Sequence, residues 1–192
     1  MRFLVRSVKY ACLPPCHRRQ SGFTLIETLV VTIVGIVILA AAATGVGKLY
    51  SSSEISTEAE NIAQMFANLK NLKNGHNGYA ELRNVTALEY KVVPPNMKVE
   101  QYQDGDRKSA VIHNSWGGLV VIYPEGANKE AFRIQYSDVP SEPCQQLSLK
   151  LRNAGWARVR AGSREIMPTS SLGDIAKFCG KDKNVLFFTS LN

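Results

Sequence analysis

The chain has 192 residues, with 23 basic and 16 acidic side chains and a formal charge of +7. That length holds one globular domain of ordinary size plus an extension. Arg2, Arg6, Lys9, Arg18 and Arg19 all precede Gly22 with no acid among them, leaving 18 basic against 16 acidic residues afterwards. The excess charge therefore sits outside the presumptive folded domain, and the high pI is no argument for nucleic-acid binding.

In chain order, residues 1–22 form a basic leading stretch containing "CLPPC". Its Cys12 and Cys16 make an isolated CxxxC with no further Cys or His at ligand spacing, which is a poor metal site. An uncharged apolar run of 20 residues follows, Thr28 to Gly47. As a helix it spans about 30 Å, the thickness of a bilayer core. Arginines before the run and none just after it predict a cytoplasmic N-terminus and export of everything past Lys48. A cleaved secretory signal, with Ala41, Ala42 and Ala43 as a small-residue cleavage site, and a plain single-span anchor are competing readings. Neither accounts for Glu27, a carboxylate at the edge of the run.

Gly35, Gly45 and Gly47 lie in this segment, either for close helix packing or as a place where the helix can stretch. From Ser51 the pattern becomes amphipathic. Ile55, Ala59, Ile62, Phe66 and Leu69 form one apolar stripe, with Ser56, Glu58, Glu60, Asn61, Asn68 and Lys70 on the other faces. No proline interrupts residues 24–73, and Asn74-Gly75 is a plausible stop, so anchor and stripe can form one helix.

Beyond Gly78 short strands are expected at "MKVEQY" and "SAVIH". A hairpin is expected from "GGLVVIYPEG" and "AFRIQYS", a helix near residues 143–153, and a final strand at "NVLFFTS" with Leu186 and Phe188 on one face. Helices to one side of an antiparallel sheet make this an α+β fold. Cys144 and Cys179 lie in the body; with the leading stretch removed, an oxidising compartment would pair them. Closing that loop stabilises by about 4 kcal/mol on the chain-entropy account.

Other chemistry is thinly represented. His76 and His113 lack a ligand neighbour at i+3 or i+4, and no catalytic or phosphate-loop motif occurs. No enzyme activity, metal or cofactor is expected. Asn84-Val85-Thr86 is a formal glycosylation sequon. Arg152, Arg158, Arg160 and Arg164, with Trp156, form a basic cluster for which a solvated or subunit-contacting face is preferred to a DNA-contacting one.

Gly22, Phe23, then Thr24-Leu25-Ile26-Glu27 before an uncharged run resembles the prepilin motif of type IV pilins and pseudopilins. The resemblance implies cleavage after Gly22 by prepilin peptidase, N-methylation of Phe23, and a role for Glu27 in assembly, meeting the new amine of its own or a neighbouring subunit. The 22-residue leader, the Gly-Gly strand start in "NSWGGLVVIYP" and the Cys144/Cys179 pair resemble the type IVb, PilS-like branch of thin pili.

The implied architecture is a leader (1–22), a transmembrane and assembly helix (23–50), its amphipathic continuation (51–74) and a globular pilin domain (75–192) with a disulfide-bounded region (144–179). The implied partners are other copies of the chain, prepilin peptidase, the inner membrane, and a platform protein with its ATPase; nucleic acid is not expected. The implied location is the inner membrane before assembly and an extracellular pilus afterwards. A minor pilin or type II secretion pseudopilin, and a membrane-anchored periplasmic binding or enzyme domain, remain as alternatives.

Overall fold

The computed structural model describes residues 24–73 and 78–191, with the side chains of 42–49 left aside. The chain divides into two units that meet at Gly45 and Val46. The first holds the beginning of helix α1 (Leu25–Asn71). Here the helix is apolar on every side. The eleven large side chains from Leu25 to Leu39 are each between 51% and 84% exposed. Thr28 and Thr32 do not break it, because each hydroxyl donates to the carbonyl three residues back, at 2.9 and 2.8 Å. Among the described residues, no helix is long and apolar enough to cross a membrane. The predicted span, Thr28 to Gly47, runs on through side chains that lie outside the described ones.

The second unit carries the rest of α1 and ten further elements. These are α2 (Asn84–Glu89), β1 (Lys98–Asp104), β2 (Arg107–His113), β3 (Leu119–Glu125), β4 (Ala131–Val139), α3 (Ser141–Leu151), β5 (Arg158–Ala161), β6 (Arg164–Ile166), α4 (Leu172–Phe178) and β7 (Asn184–Thr189). The strands form one seven-stranded sheet in the order β1-β2-β3-β4-β7-β5-β6, antiparallel throughout. The predicted "MKVEQY" and "SAVIH" strands become β1 and β2, joined at Gly105 in a positive-φ turn. The expected hairpin is β3–β4, paired from Val120↔Tyr136 to Glu125↔Ala131. The expected final strand is β7, inserted between β4 and β5, with Leu186 and Phe188 both fully buried.

α1 covers one sheet face with Ile55, Ile62, Met65 and Leu69, all in the core. Phe66 stacks against Trp156 at 4.2 Å and Phe132 at 5.9 Å between ring centroids, and Trp156 continues to Phe188 at 5.4 Å. This aromatic column joins α1 to β4, β7 and the segment before β5. The stripe differs from its sequence reading. Ala59 and Phe66 are only half-buried, whereas Glu58 and Asn61, expected on the outer faces, are buried with Met65. A helix lying on a twisted sheet presents 55-58-62-65-69 rather than 55-59-62-66-69, a rotation of less than one residue, and hydropathy alone favoured the alanine over the acid.

Candidate functional site

Gly22 and Phe23, the predicted cleavage and methylation positions, lie outside the described residues, as does His76. Glu27 is described, and the structure gives its carboxylate a local partner. The Thr24 N–H donates to Glu27 Oε2 at 3.5 Å, and the Glu27 N–H donates to Thr24 Oγ1 at 3.4 Å. This is the reciprocal arrangement of a capping box, long in both contacts, which satisfies two donors at a helix start. An acid in the first turn also opposes the positive end of the helix dipole. The threonine-x-x-glutamate spacing carried this signal, and the motif reading passed over it. Glu27 is exposed, so its oxygens keep room for a second donor.

A second carboxylate is the one charged side chain among the described residues that is buried in the core. Glu58, 1% exposed, accepts from the Ser115 N–H at 2.7 Å and the Ser115 hydroxyl at 2.6 Å through one oxygen. Its other oxygen accepts from Tyr136 OH at 3.1 Å and Asn61 Nδ2 at 3.4 Å. A buried charge persists only when its lone pairs are occupied in this way. Burial, then the Glu58 charge and hydrogen bond, push the Tyr136 hydroxyl well above its ordinary range.

Ser115 belongs to the tight turn Asn114-Ser115-Trp116-Gly117-Gly118. Asn114 Oδ1 accepts from Trp116 and Gly118 N–H at 3.0 and 2.9 Å, and its Nδ2 donates to the Ser137 carbonyl at 2.9 Å. Gly117 sits at φ +80, and a Cβ on Gly118 would stand 1.9 Å from the Ser137 oxygen. The two glycines are thus dictated by backbone geometry, and the turn they make is the receptor for Glu58.

Cys144 on α3 and Cys179 after α4 are joined as a disulfide with a Cα separation of 5.7 Å, and both are fully buried. The pairing read from the sequence is the one found. The bounded region contains β5, β6 and α4. Its arginines do not act together: Arg152 donates to the Ser170 carbonyl at 2.9 Å, Arg160 lies over the Phe187 ring at 5.2 Å, and Arg164 lines a cavity near α4. Trp156 is 8% exposed and spent on the aromatic column, so it offers no platform for a base.

The formal sequon is likewise engaged. Asn84 Nδ2 donates to the Ala110 and Val120 carbonyls at 3.2 and 2.9 Å, and Asn84 Oδ1 accepts from the Ile122 N–H at 2.9 Å. It bridges β2 and β3 where their direct pairing ends, since only Ile112↔Val120 and His113↔Leu119 are matched. His113 Nε2 lies 3.7 Å from Glu100 Oε1, and no cluster of metal-ligating side chains occurs among the described residues.

Residues 52–191 match the family described as PilS N terminal. The chain belongs to the PilS family of type IV pilins. Residues 17–45 match the prokaryotic N-terminal methylation motif, which includes Gly22, Phe23 and Glu27. The crystal structure of a type IVb pilin from Salmonella typhi is similar at a TM-score of 0.59 and 22% identity, covering 71% of this chain and 99% of that one. The NMR structure of the type IVb pilin PilS from Salmonella typhi gives 0.47 and 23%, over 70% and 94% of the two chains. No curated protein matches the sequence at a significant level. The antiparallel sheet with helices packed on it is the type IV pilin fold, and members of the PilS family are structural subunits rather than enzymes.

Proposed function

We propose that this PilS-family chain is a pilus subunit cut after Gly22 by prepilin peptidase, methylated at Phe23, and held in the inner membrane by its N-terminal helix until it polymerises. A platform protein with its cytoplasmic ATPase would supply the work of assembly. The observation that carries the reading is the bare apolar surface of α1 from Leu25 to Leu39, which begins at a single carboxylate. Each such side chain gains roughly 1.5–3 kcal/mol on full burial. A helix apolar on all sides needs lipid or other helices around it. The uncharged run Thr28 to Gly47 suits the first, and a fibre core suits the second.

Glu27 then acts as the register mark. Cleavage creates an α-amino group on Phe23, charged at neutral pH. In an apolar fibre core an unpaired carboxylate or ammonium is costly, so only the stagger that brings the two together is stable. Glu27→Gln separates this role from helix capping, because glutamine also serves a capping box but carries no charge. Sheared-fibre yield from cells expressing Glu27→Gln should fall at least about tenfold, the effect of about 1.4 kcal/mol per subunit contact, with the unassembled chain still present and processed. Fibres at parental yield would remove the pairing from the account.

A further inference from the structure

Close to the disulfide lies a cavity walled by cationic side chains. The β5–β6 turn at Gly162-Ser163 and the segment from the end of α4 to the start of β7 line this open cavity of about 460 Å³. Arg164, Lys177, Lys181 and Lys183 line it, and no carboxylate does. Among the described residues, no ion pair or hydrogen bond holds the Arg164, Lys177 or Lys181 side chain. Lys183 has only an exposed contact with Asp138 at 3.6 Å. Asp174, close by in sequence, accepts from the Ser171 hydroxyl at 2.7 Å and is not in the lining.

One buried amide occupies two of the backbone carbonyls beside the cavity. Buried Asn184 donates through Nδ2 to the carbonyls of Cys179 and Lys181 at 3.4 and 2.6 Å, and accepts from the Lys181 N–H at 3.4 Å. Those two carbonyls are thereby held by an amide donor. Cys179, tied to Cys144, fixes the segment that carries Lys177 and Lys181. Half-buried Phe178, packed against the core on one side, lies in the same wall.

We propose that this cavity binds a phosphorylated sugar, the phosphate monoester held by Arg164, Lys177 and Lys181 and the ring set against Phe178. The charge on the walls selects an anion. A space of this size lies within the roughly 300–1,000 Å³ of small-molecule sites and is far larger than one phosphate fills. The single aromatic in a polar wall gives the apolar remainder of such a ligand a surface to cover. The proposal stands independently of cleavage and polymerisation.

The full-length chain, solubilised in an uncharged detergent, is titrated by calorimetry with glucose 6-phosphate, inorganic phosphate and glucose at low ionic strength. Glucose 6-phosphate should bind saturably at one site per chain, inorganic phosphate roughly tenfold more weakly, and glucose not at all. Replacing both exposed lysines, Lys177→Ala with Lys181→Ala, should weaken glucose 6-phosphate at least tenfold, each charge-assisted contact contributing about that factor. Binding should fall as salt is added, because the cations are exposed and screened. A thermal unfolding midpoint matching the parent's confirms that the double variant retains its fold. Absence of saturable heat with glucose 6-phosphate overturns the proposal, as does unchanged affinity in the double variant. Equal affinity for inorganic phosphate and glucose 6-phosphate overturns the assignment of the sugar to Phe178.

Discussion

Two acids occupy the ends of this account, and each is explained by what its oxygens accept. Glu58 binds α1 to the turn before β3 and to the middle of β4 through three donors, with Asn61 of α1 as a fourth. Glu58→Ala leaves the buried Tyr136 hydroxyl without an acceptor and frees the part-buried Ser115 donors, at a cost of roughly 3 kcal/mol. The denaturant midpoint of the variant measures this; a loss under about 0.5 kcal/mol, the scale of an ordinary surface change, would contradict the network. Tyr136 supplies the matching pH dependence. Its folded-state pKa is raised above the ordinary 10.0, first by burial and then by Glu58. Its contribution is therefore complete below pH 10 and is lost as pH rises towards the folded value. Tyr136→Phe removes that titration, so stability should fall less steeply above pH 10 in the variant than in the parent. Parallel slopes would show that Tyr136 does not titrate with unfolding. The sequence did not expose Glu58 because an acid among serines and asparagines reads as a solvated face; only the fold brings Ser115 and Tyr136 to it from 57 and 78 residues away.

Among the elements, legibility followed the strength of local periodicity. The α1 helix, the β3–β4 hairpin and β7 carry clear patterns, and all three are present, the helix with its buried face rotated from the stripe read in the sequence. The helix expected near 143–153 is α3 at Ser141–Leu151, starting two residues earlier because Pro140 is extended and serves as its N-cap position. The short elements β5, β6, α2 and α4 were not anticipated, having four, three, six and seven residues. Pieces that short complete barely one repeat of any pattern and exist because the sheet and core hold them. β5 pairs with β7 from Arg158↔Thr189 to Ala161↔Leu186, a partner its own sequence cannot specify. The disulfide fastens this weakly patterned region, joining residues 35 apart in sequence. Cys144→Ser with Cys179→Ser should lower stability by about 4 kcal/mol, the loop-closure value for such a separation. Amide exchange should show β6 and α4 losing protection before β3 and β4. Uniform loss across the sheet would mean that the bond does not act locally.

For the whole molecule, the two units have opposite surfaces. The sheet domain has closed its core around Tyr136, Phe132 and Phe188, whereas the first unit leaves its apolar residues uncovered. A monomer in water gains nothing from such a helix; a subunit handed from lipid to a fibre core does. Membership of the PilS family and the methylation motif across residues 17–45 support the role of a pilin subunit. The Glu27 carboxylate satisfies its own helix start in the single chain and keeps spare acceptor capacity.

Intact-mass and N-terminal mass spectrometry of subunits from sheared fibres tests the passage from membrane to fibre most directly. The expected product begins at N-methylated Phe23 and retains every residue of the apolar helix, with one internal disulfide. A subunit beginning near Thr44, or one still starting at Met1 in cells whose prepilin peptidase is active, would contradict it.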